Sequence, residues 1–346
     1  MSQFTQPLPE NDLQHILDHT KDYWNECRGK HIFITGGTGF FGRWLIESFV
    51  YANQALSLGS TATILSRNPD AFLNKADFLS HRQELRFIQG DVRNFVFPKQ
   101  SYHYIIHAAT DDTARSGDSA FELVDSVISG TQHILDFAAA AGIHKLLLTS
   151  SGASYGPQPP NLLKLPESYI AELGTTIVSS TYGEAKRMAE NLASNHAKKT
   201  GYDLIIARCF AFVGPHLPLD SVYAIGNFIA DIRAGRPIQI KGDGTPVRSY
   251  LYAADLAIWL WTLLFQRPSN QIFNVGSDEA INISDLARLV SLTLGSPLEP
   301  MILTTPSHIR PADRYVPDIT RARTELGLKV HIPLASAIDK THRWLG

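Results

Sequence analysis

The sequence predicts an α/β protein, a doubly wound parallel sheet followed by a smaller C-terminal α/β lobe. Three observations predict it. Short apolar runs alternate with longer segments of helical spacing through the N-terminal part of the chain, the pattern of strand–helix–strand units that cover a parallel sheet on both faces. A glycine-rich turn, Gly36-Gly37-Thr38-Gly39-Phe40-Phe41-Gly42, joins the first such strand to a long helix. Beyond Arg208 the alternation fades, Gly and Pro become frequent, and the elements shorten. With 346 residues, 44% of them hydrophobic and 18% charged, the chain can bury a large core as one domain or two joined lobes.

Taken in order, residues 10–27 have helical spacing through Leu13, Ile16, Leu17 and Trp24, and Arg28-Gly29-Lys30 breaks the pattern. Residues 1–29 therefore read as an N-terminal helical extension. Strands are expected at 31–35, 61–65, 85–89, 104–107, 145–149 and 203–207, with helices at about 40–53, 119–141 and 181–199 between them. These make residues 30–210 one domain. Residues 211–346, with shorter elements around 228–234, 253–265, 283–294 and 319–326, read mainly as a second lobe, some of whose segments return to the first domain.

Composition excludes several classes. A net charge of −2 gives no general attraction to nucleic acid or anionic lipid, which leaves a small-molecule partner as the expectation. Cys27 and Cys209, far apart, read as buried thiols in a reducing compartment. The histidines show no metal spacing, so no metal is expected. Residues 1–14 are polar and lack the regions of a signal peptide, and the apolar stretch 253–265 is too short to span a bilayer and carries Asp255, so a cytoplasmic protein without membrane attachment is expected.

The candidate chemistry lies at strand ends. The turn containing Gly36, Thr38, Gly39, Phe40, Phe41 and Gly42 follows a strand and opens a helix, so its backbone can approach a dinucleotide pyrophosphate while helix N-terminal amides face it. That makes residues 30–210 a Rossmann-type NAD(P)-binding domain. After the second strand, Ser66 and Arg67 stand where an acidic residue would accept the ribose hydroxyls of NAD. Arg67 can pair with a 2′-phosphate and tilts the reading toward NADP over NAD, or it can stack on adenine. Asp91, next to Val92, can face the adenine amino group, although Asp in such a place is also turn chemistry. Ala108, Ala109 and Thr110 end the fourth strand with small side chains that leave room for a cofactor; His107 beside them reads as a packed residue.

Thr149, Ser150 and Ser151 end the fifth strand, and downstream come Tyr182-Gly183-Glu184-Ala185-Lys186. Residues four apart share a helix face, so Tyr182 and Lys186 can point into one cleft. A phenol of pKa about 10 is a poor base at neutral pH, and a neighbouring ammonium favours its phenolate. A hydroxyl at the strand end can hydrogen-bond a reacting oxygen and share its proton with the Tyr.

Together these motifs resemble the extended short-chain dehydrogenase/reductase family of the NAD-dependent epimerase/dehydratase type, from Lys30 to about Leu328. The resemblance implies Ser151, Tyr182 and Lys186 as the catalytic trio, Tyr182 acting as acid–base and Lys186 holding the nicotinamide ribose, with Thr149, Tyr182 and Lys186 contacting the cofactor and Ser150 and Ser151 the substrate. It implies a nucleotide-diphosphate sugar as substrate, contacted by Arg248 of the segment 242–248, by Arg310 and Asp313, and by Asn227. It also implies a homodimer through the helices at 119–141 and 181–199. The family's dehydratases carry an Asp-Glu pair after the hydroxyl residue and its decarboxylases a Glu. This chain has Gly152 and Ala153 there, which disfavours both and leaves a 4-epimerase or a 4-ketoreductase. A dinucleotide-binding redox sensor or scaffold without catalysis is the reading from another class.

Overall fold

The computed structural model describes residues 5–110, 120–170, 181–220, 223–266, 271–304 and 312–346. The chain divides into two compact units: Met1–Gly156, Glu172–Cys209 and Ala257–Phe273 form the first, and Pro157–Ala171, Phe210–Leu256 and Asn274–Gly346 the second.

The first unit begins with α1 (Glu10–Thr20), followed by a separate 3-10 turn at Trp24–Cys27. The continuous helix expected over residues 10–27 is thus interrupted. The reason lies in Trp24, whose indole Nε1 donates to Thr20 Oγ1 at 2.9 Å while its ring packs 4.7 Å from Trp261 and 5.3 Å from Phe265. The main chain breaks its helix to deliver that ring to the core, where it is fully buried.

Strands β1 (His31–Thr35), β2 (Thr61–Ser66), β3 (Leu85–Gln89), β4 (Tyr104–His107), β5 (Lys145–Ser151) and β6 (Asp203–Cys209) follow, with α2 (Phe40–Ala55), α3 (Pro69–Leu73), α4 (Ala120–Ala141) and α5 (Thr181–Thr200) among them. The sheet order is β11-β6-β5-β4-β1-β2-β3, where β11 is Gln271–Val275. The pairings β2/β3, β1/β2, β1/β4, β4/β5 and β5/β6 are all parallel. Strand order reverses between β1 and β4, the switch point at whose carboxyl ends ligands of such sheets sit. β5 and β6 each run two residues beyond their expected ends and pair through Ser151 and Cys209. Both cysteines are buried and outside any disulfide, and burial pushes Cys27 up to about 11 and Cys209 to about 12.

The returning segment is Ala257–Phe273, which takes α7 (Ala253–Gln266) from its second turn onward and the first residues of β11. Its apolar run is a core helix of 14 residues; no helix among the described residues is long and apolar enough to cross a membrane.

The second unit holds short strands and helices. β7 (Phe212–Val213) pairs with β10 (Leu251–Tyr252), and β8 (Gln239–Ile240) with β13 (Met301–Ile302). β9 (Val247–Arg248) lies between β12 (Ile281–Asn282) and β14 (Arg314–Tyr315). Its helices are α6 (Ala224–Arg233), α8 (Ile283–Thr293), α9 (Thr320–Leu326) and α10 (Leu334–Leu345); α6 starts four residues before its expected limit, and α10 was not foreseen. Asp255 accepts the His331 and Ile332 amides at 2.9 and 3.0 Å, which explains a carboxylate inside an apolar stretch.

Candidate active site

The glycine-rich turn is shaped by close approach. Gly36 has φ +70°, and a Cβ there would fall 2.4 Å from the Ala108 carbonyl oxygen, so the backbones after β1 and β4 touch at the switch point. A Cβ at Gly42 would fall 2.3 Å from the Gly36 oxygen. Gly39 is the N-cap of α2 without any side-chain cap, and a Cβ there would meet only the Gly36 oxygen, at 3.4 Å. Thr38 precedes it, and Phe40 and Phe41 open the helix. This uncapped, Cβ-free helix start fits a pyrophosphate.

At the β2 and β3 ends, Ser66 is buried and its Oγ accepts the Asn68 amide, while Arg67 is exposed. Asp91 accepts both Arg93 Nε and Nη2, and this guanidinium, with Arg67 further off, holds the Asp91 carboxyl below its usual range. Val92 meets α4, since a Cβ at Gly130 would lie 2.8 Å from Val92 Cγ1. Sequence reasoning missed Arg93; its spacing two residues after Asp91 in a turn was the available signal, and its amide donates to Asp91 Oδ1 at 2.9 Å.

Behind β4, Thr35 Oγ1 is 2.8 Å from His107 Nδ1 and accepts the Ala109 amide at 3.2 Å. His107 Nε2 is 3.2 Å from Thr131 Oγ1. Burial and the Lys186 charge push the imidazole down to about 3, so it is a neutral packing residue at physiological pH.

Thr149, Ser150 and Ser151 are 5%, 5% and 7% exposed. Thr149 Oγ1 donates to the His107 carbonyl at 3.1 Å. Ser150 Oγ donates to Glu190 at 2.5 Å, and Ser151 Oγ accepts the Ala153 amide at 3.1 Å, capping a 3-10 turn over Gly152–Tyr155. α5 enters against that turn: a Cβ at Gly183 would lie 2.3 Å from the Ala153 oxygen, so Tyr182 needs a Gly after it to come this close. Lys186 is 4% exposed, and its Nζ donates to Thr110 Oγ1 at 2.9 Å and to the Thr149 carbonyl at 3.2 Å. The same ammonium lies 5.9 Å from the Tyr182 ring centre, and Tyr182 packs against the cluster formed by Leu123 and Val127 of α4 with Ala185 and Ala189 of α5. Thr110, Thr149, Tyr182 and Lys186 are thereby brought together, with Ser151 at the end of the same strand. The arrangement sets an ammonium beside a phenol, and a cation there favours the phenolate and so proton exchange at the phenol oxygen.

In the second unit, Arg248 donates to Asp313 Oδ2 at 2.7 Å and to the Val247 carbonyl at 2.9 Å. The β9–β14 pairing delivers Asp313 to it, since the Val247 amide also donates to the Asp313 carbonyl at 2.7 Å. Asn227 lies on α6, partly buried. Arg310 lies outside the described residues. Among the described residues there is no cluster of His, Cys, Asp or Glu able to hold a metal.

The sheet order, the glycine turn and the Tyr182–Lys186 pair define a protein of the dinucleotide-binding Rossmann class. A sequence profile of the NAD dependent epimerase/dehydratase family matches residues 32–276, and the chain belongs to that family. It is similar to UDP-glucuronic acid decarboxylase 5 of Arabidopsis thaliana, 27% identical over 310 residues, 89% of this chain and 86% of that protein. It is also similar to the UDP-glucuronate 4-epimerase of Thermodesulfobacterium geofontis, 27% identical over 326 residues, 91% of this chain and 95% of that protein. Among solved structures, the dTDP-glucose 4,6-dehydratase of Streptomyces venezuelae with NAD bound superposes with a TM-score of 0.77, at 22% identity, over 91% of this chain and 96% of that one.

Proposed function

We propose that this chain is an NAD(P)-dependent nucleotide-sugar enzyme that oxidises and reduces the sugar at C4, as a 4-epimerase or a 4-ketoreductase, with Tyr182 as its acid–base residue. The observation that carries the reading is the Lys186 ammonium, fixed by Thr110 and the Thr149 carbonyl and set 5.9 Å from the Tyr182 ring. A phenol so placed spends its proton easily and takes one back, which is what a sugar hydroxyl turning into a ketone, and the reverse, require. A bound nicotinamide ring supplies the two-electron transfer. Ser151 would hydrogen-bond the reacting oxygen, and Lys186 would hold the nicotinamide ribose. Arg248 is the residue for the sugar nucleotide diphosphate, with Asp313 beside it and Arg310 and Asn227 as further contacts; a guanidinium already oriented by a carboxylate suits paired phosphate oxygens.

Decarboxylation or dehydration is the second reading, because relatives with those names are as similar to this chain as the epimerase is. Against it stand Gly152 and Ala153, which follow Ser151 without a carboxyl group for the extra proton steps of an elimination.

The test begins with the purified protein, unfolded so that any nicotinamide dinucleotide it carries is identified by mass spectrometry. It then follows UDP-glucuronate and UDP-glucose with NAD, and a UDP-4-ketosugar with NADPH, by NMR. C4 inversion or reduction of a 4-ketosugar supports the proposal. Loss of carbon dioxide, or of water across C5 and C6, sinks it. Tyr182→Phe is expected to lower turnover on the order of a thousandfold while keeping the cofactor; unchanged turnover would remove Tyr182 from the acid–base role, and cofactor binding without turnover in the wild type would place the chain among non-catalytic binding proteins.

A further inference from the structure

Glu190 is a buried carboxylate that the proton chemistry at Tyr182 leaves without a task. It is 5% exposed and lies one turn beyond Lys186 on α5, as Lys186 lies one turn beyond Tyr182, so the three share a helix face. The sheet grips it from two sides. Ser150 Oγ donates to Glu190 Oε1 at 2.5 Å, Arg208 Nε donates to the same oxygen at 2.9 Å, and Arg208 Nη2 donates to Oε2 at 2.6 Å. Ser150 and Arg208 are register partners on β5 and β6, one residue before Ser151 and Cys209. The Arg208 guanidinium also lies 4.3 Å from the ring centre of Tyr155, in the 3-10 turn that Ser151 caps.

We infer that Ser150, Glu190 and Arg208 are positioning residues that set α5 against the end of β5 and thereby fix the distance between Lys186 and Tyr182. The inference rests on the acid–base reading of Tyr182 given above. Lys186 ends a flexible four-carbon stem, and the bonds from its Nζ to Thr110 Oγ1 and to the Thr149 carbonyl are single ones without a fixed fork geometry. A guanidinium paired with both carboxylate oxygens fixes orientation as well as distance, and the helix transmits it to a residue one turn away. Three consecutive residues of β5 then divide the work: the Thr149 carbonyl holds the ammonium, Ser150 holds the helix, and Ser151 caps the turn.

Charge supports the assignment. Glu190 and Arg208 neutralise each other, so the clamp adds no net charge beside an ammonium whose field Tyr182 needs. Among the described residues, the other ionisable groups on elements packed against α5 are Glu122, Asp125, His133 and Asp136 on α4, Lys145 on β5, Asp203 and Cys209 on β6, and Tyr155 in the turn. His107 on β4 lies in the field of Lys186, and Glu184 and Arg187 adjoin the pair on α5 itself.

The experiment is an ultraviolet difference titration of the Tyr182 phenol, with and without NAD, using Tyr182→Phe in each background as the blank. Ser150→Ala removes one hydrogen bond and leaves the ion pair in place; Glu190→Gln combined with Arg208→Met removes both charges at nearly constant volume. Circular dichroism and melting temperature report whether each variant is folded. Both changes are expected to raise the Tyr182 pKa by about one unit, a tenfold loss of acidity, and Ser150→Thr is expected to restore it. A Tyr182 pKa that is low in the wild type and the same in all folded variants overturns this inference alone. A wild-type phenol titrating near its ordinary value of about 10 overturns the acid–base reading, and this inference with it. The titration uses no sugar substrate, so it decides between these outcomes whatever reaction the protein catalyses.

Discussion

Arg93 grips Asp91 through both carboxylate oxygens, Nε to Oδ1 and Nη2 to Oδ2 at 2.9 Å each, and its Nη1 reaches Asp125 on α4 at 2.9 Å. The carboxylate nearest the expected adenine end is therefore already offset by a guanidinium, and Arg67 adds a second positive charge within its field. Arg93 and Arg67 together balance Asp91 and Asp125, so that end carries no net negative charge to repel a 2′-phosphate, and a guanidinium there suits it. Arg67→Ala is expected to weaken NADPH binding by about tenfold or more and to leave NADH binding nearly unchanged. Calorimetric titration with both dinucleotides checks this, and equal losses for the two would mean that Arg67 stacks on the adenine instead.

His107 makes folding sensitive to acid. Its pKa is pushed down to about 3 in the fold, whereas an unfolded histidine titrates near 6.5, so the unfolded chain binds the extra proton between those values. The stability this residue contributes is fully present above about pH 6.5 and falls by roughly 1.4 kcal/mol per pH unit below it. His107→Gln is expected to flatten the decline of unfolding free energy between about pH 6 and pH 4 in urea titrations. An unchanged slope would show that His107 is not the group being protonated.

Trp24 ties the N-terminal extension to the first unit. It is fully buried among Phe49, Trp261 and Phe265. Trp24→Ala is expected to cost about 3–5 kcal/mol, the range for emptying an aromatic site in a core. Urea unfolding would measure it, and a cost below about 1 kcal/mol would show that the extension is dispensable for stability.

Assembly as a homodimer is expected through α4 and α5. The two helices bury Leu123, Val127, Ala185 and Ala189 against each other, yet Phe121 is 90% exposed and Met188 52% exposed beside that seam. Phe121→Asp is expected to shift the sedimentation mass from dimer to monomer at micromolar concentration, and a wild-type protein that sediments as a monomer would refute the dimer.

Much of the first unit was legible because its signals are local. Strands β1, β3 and β4 begin and end where the apolar runs do, and the glycine turn sits between β1 and α2 as its composition demands. What escaped depends on distant partners. The break after α1 comes from Trp24 meeting Trp261, and β11 joins the sheet beside β6 from far along the chain. Strands of two residues such as β7 to β10 carry no periodicity to detect. Within the candidate site, the Tyr182–Lys186 spacing was readable, and Glu190 stood at the next equivalent position. Its meaning needed the register of β5 and β6, which places Ser150 and Arg208 opposite each other.

The return of Ala257–Phe273 to the first unit has a consequence for how the protein is made. A ribosome delivers the chain from its N-terminus, and a contiguous unit can close as soon as it emerges. Here the indole stack under α2 lacks Trp261 and Phe265, and β6 remains a bare edge, until residue 273 has left the exit tunnel. Unpaired edges and uncovered aromatic surface are what aggregate and what holdases bind. Nascent chains stalled before residue 257 should therefore be held by such chaperones and cut readily by proteases, and those released past residue 273 should resist both.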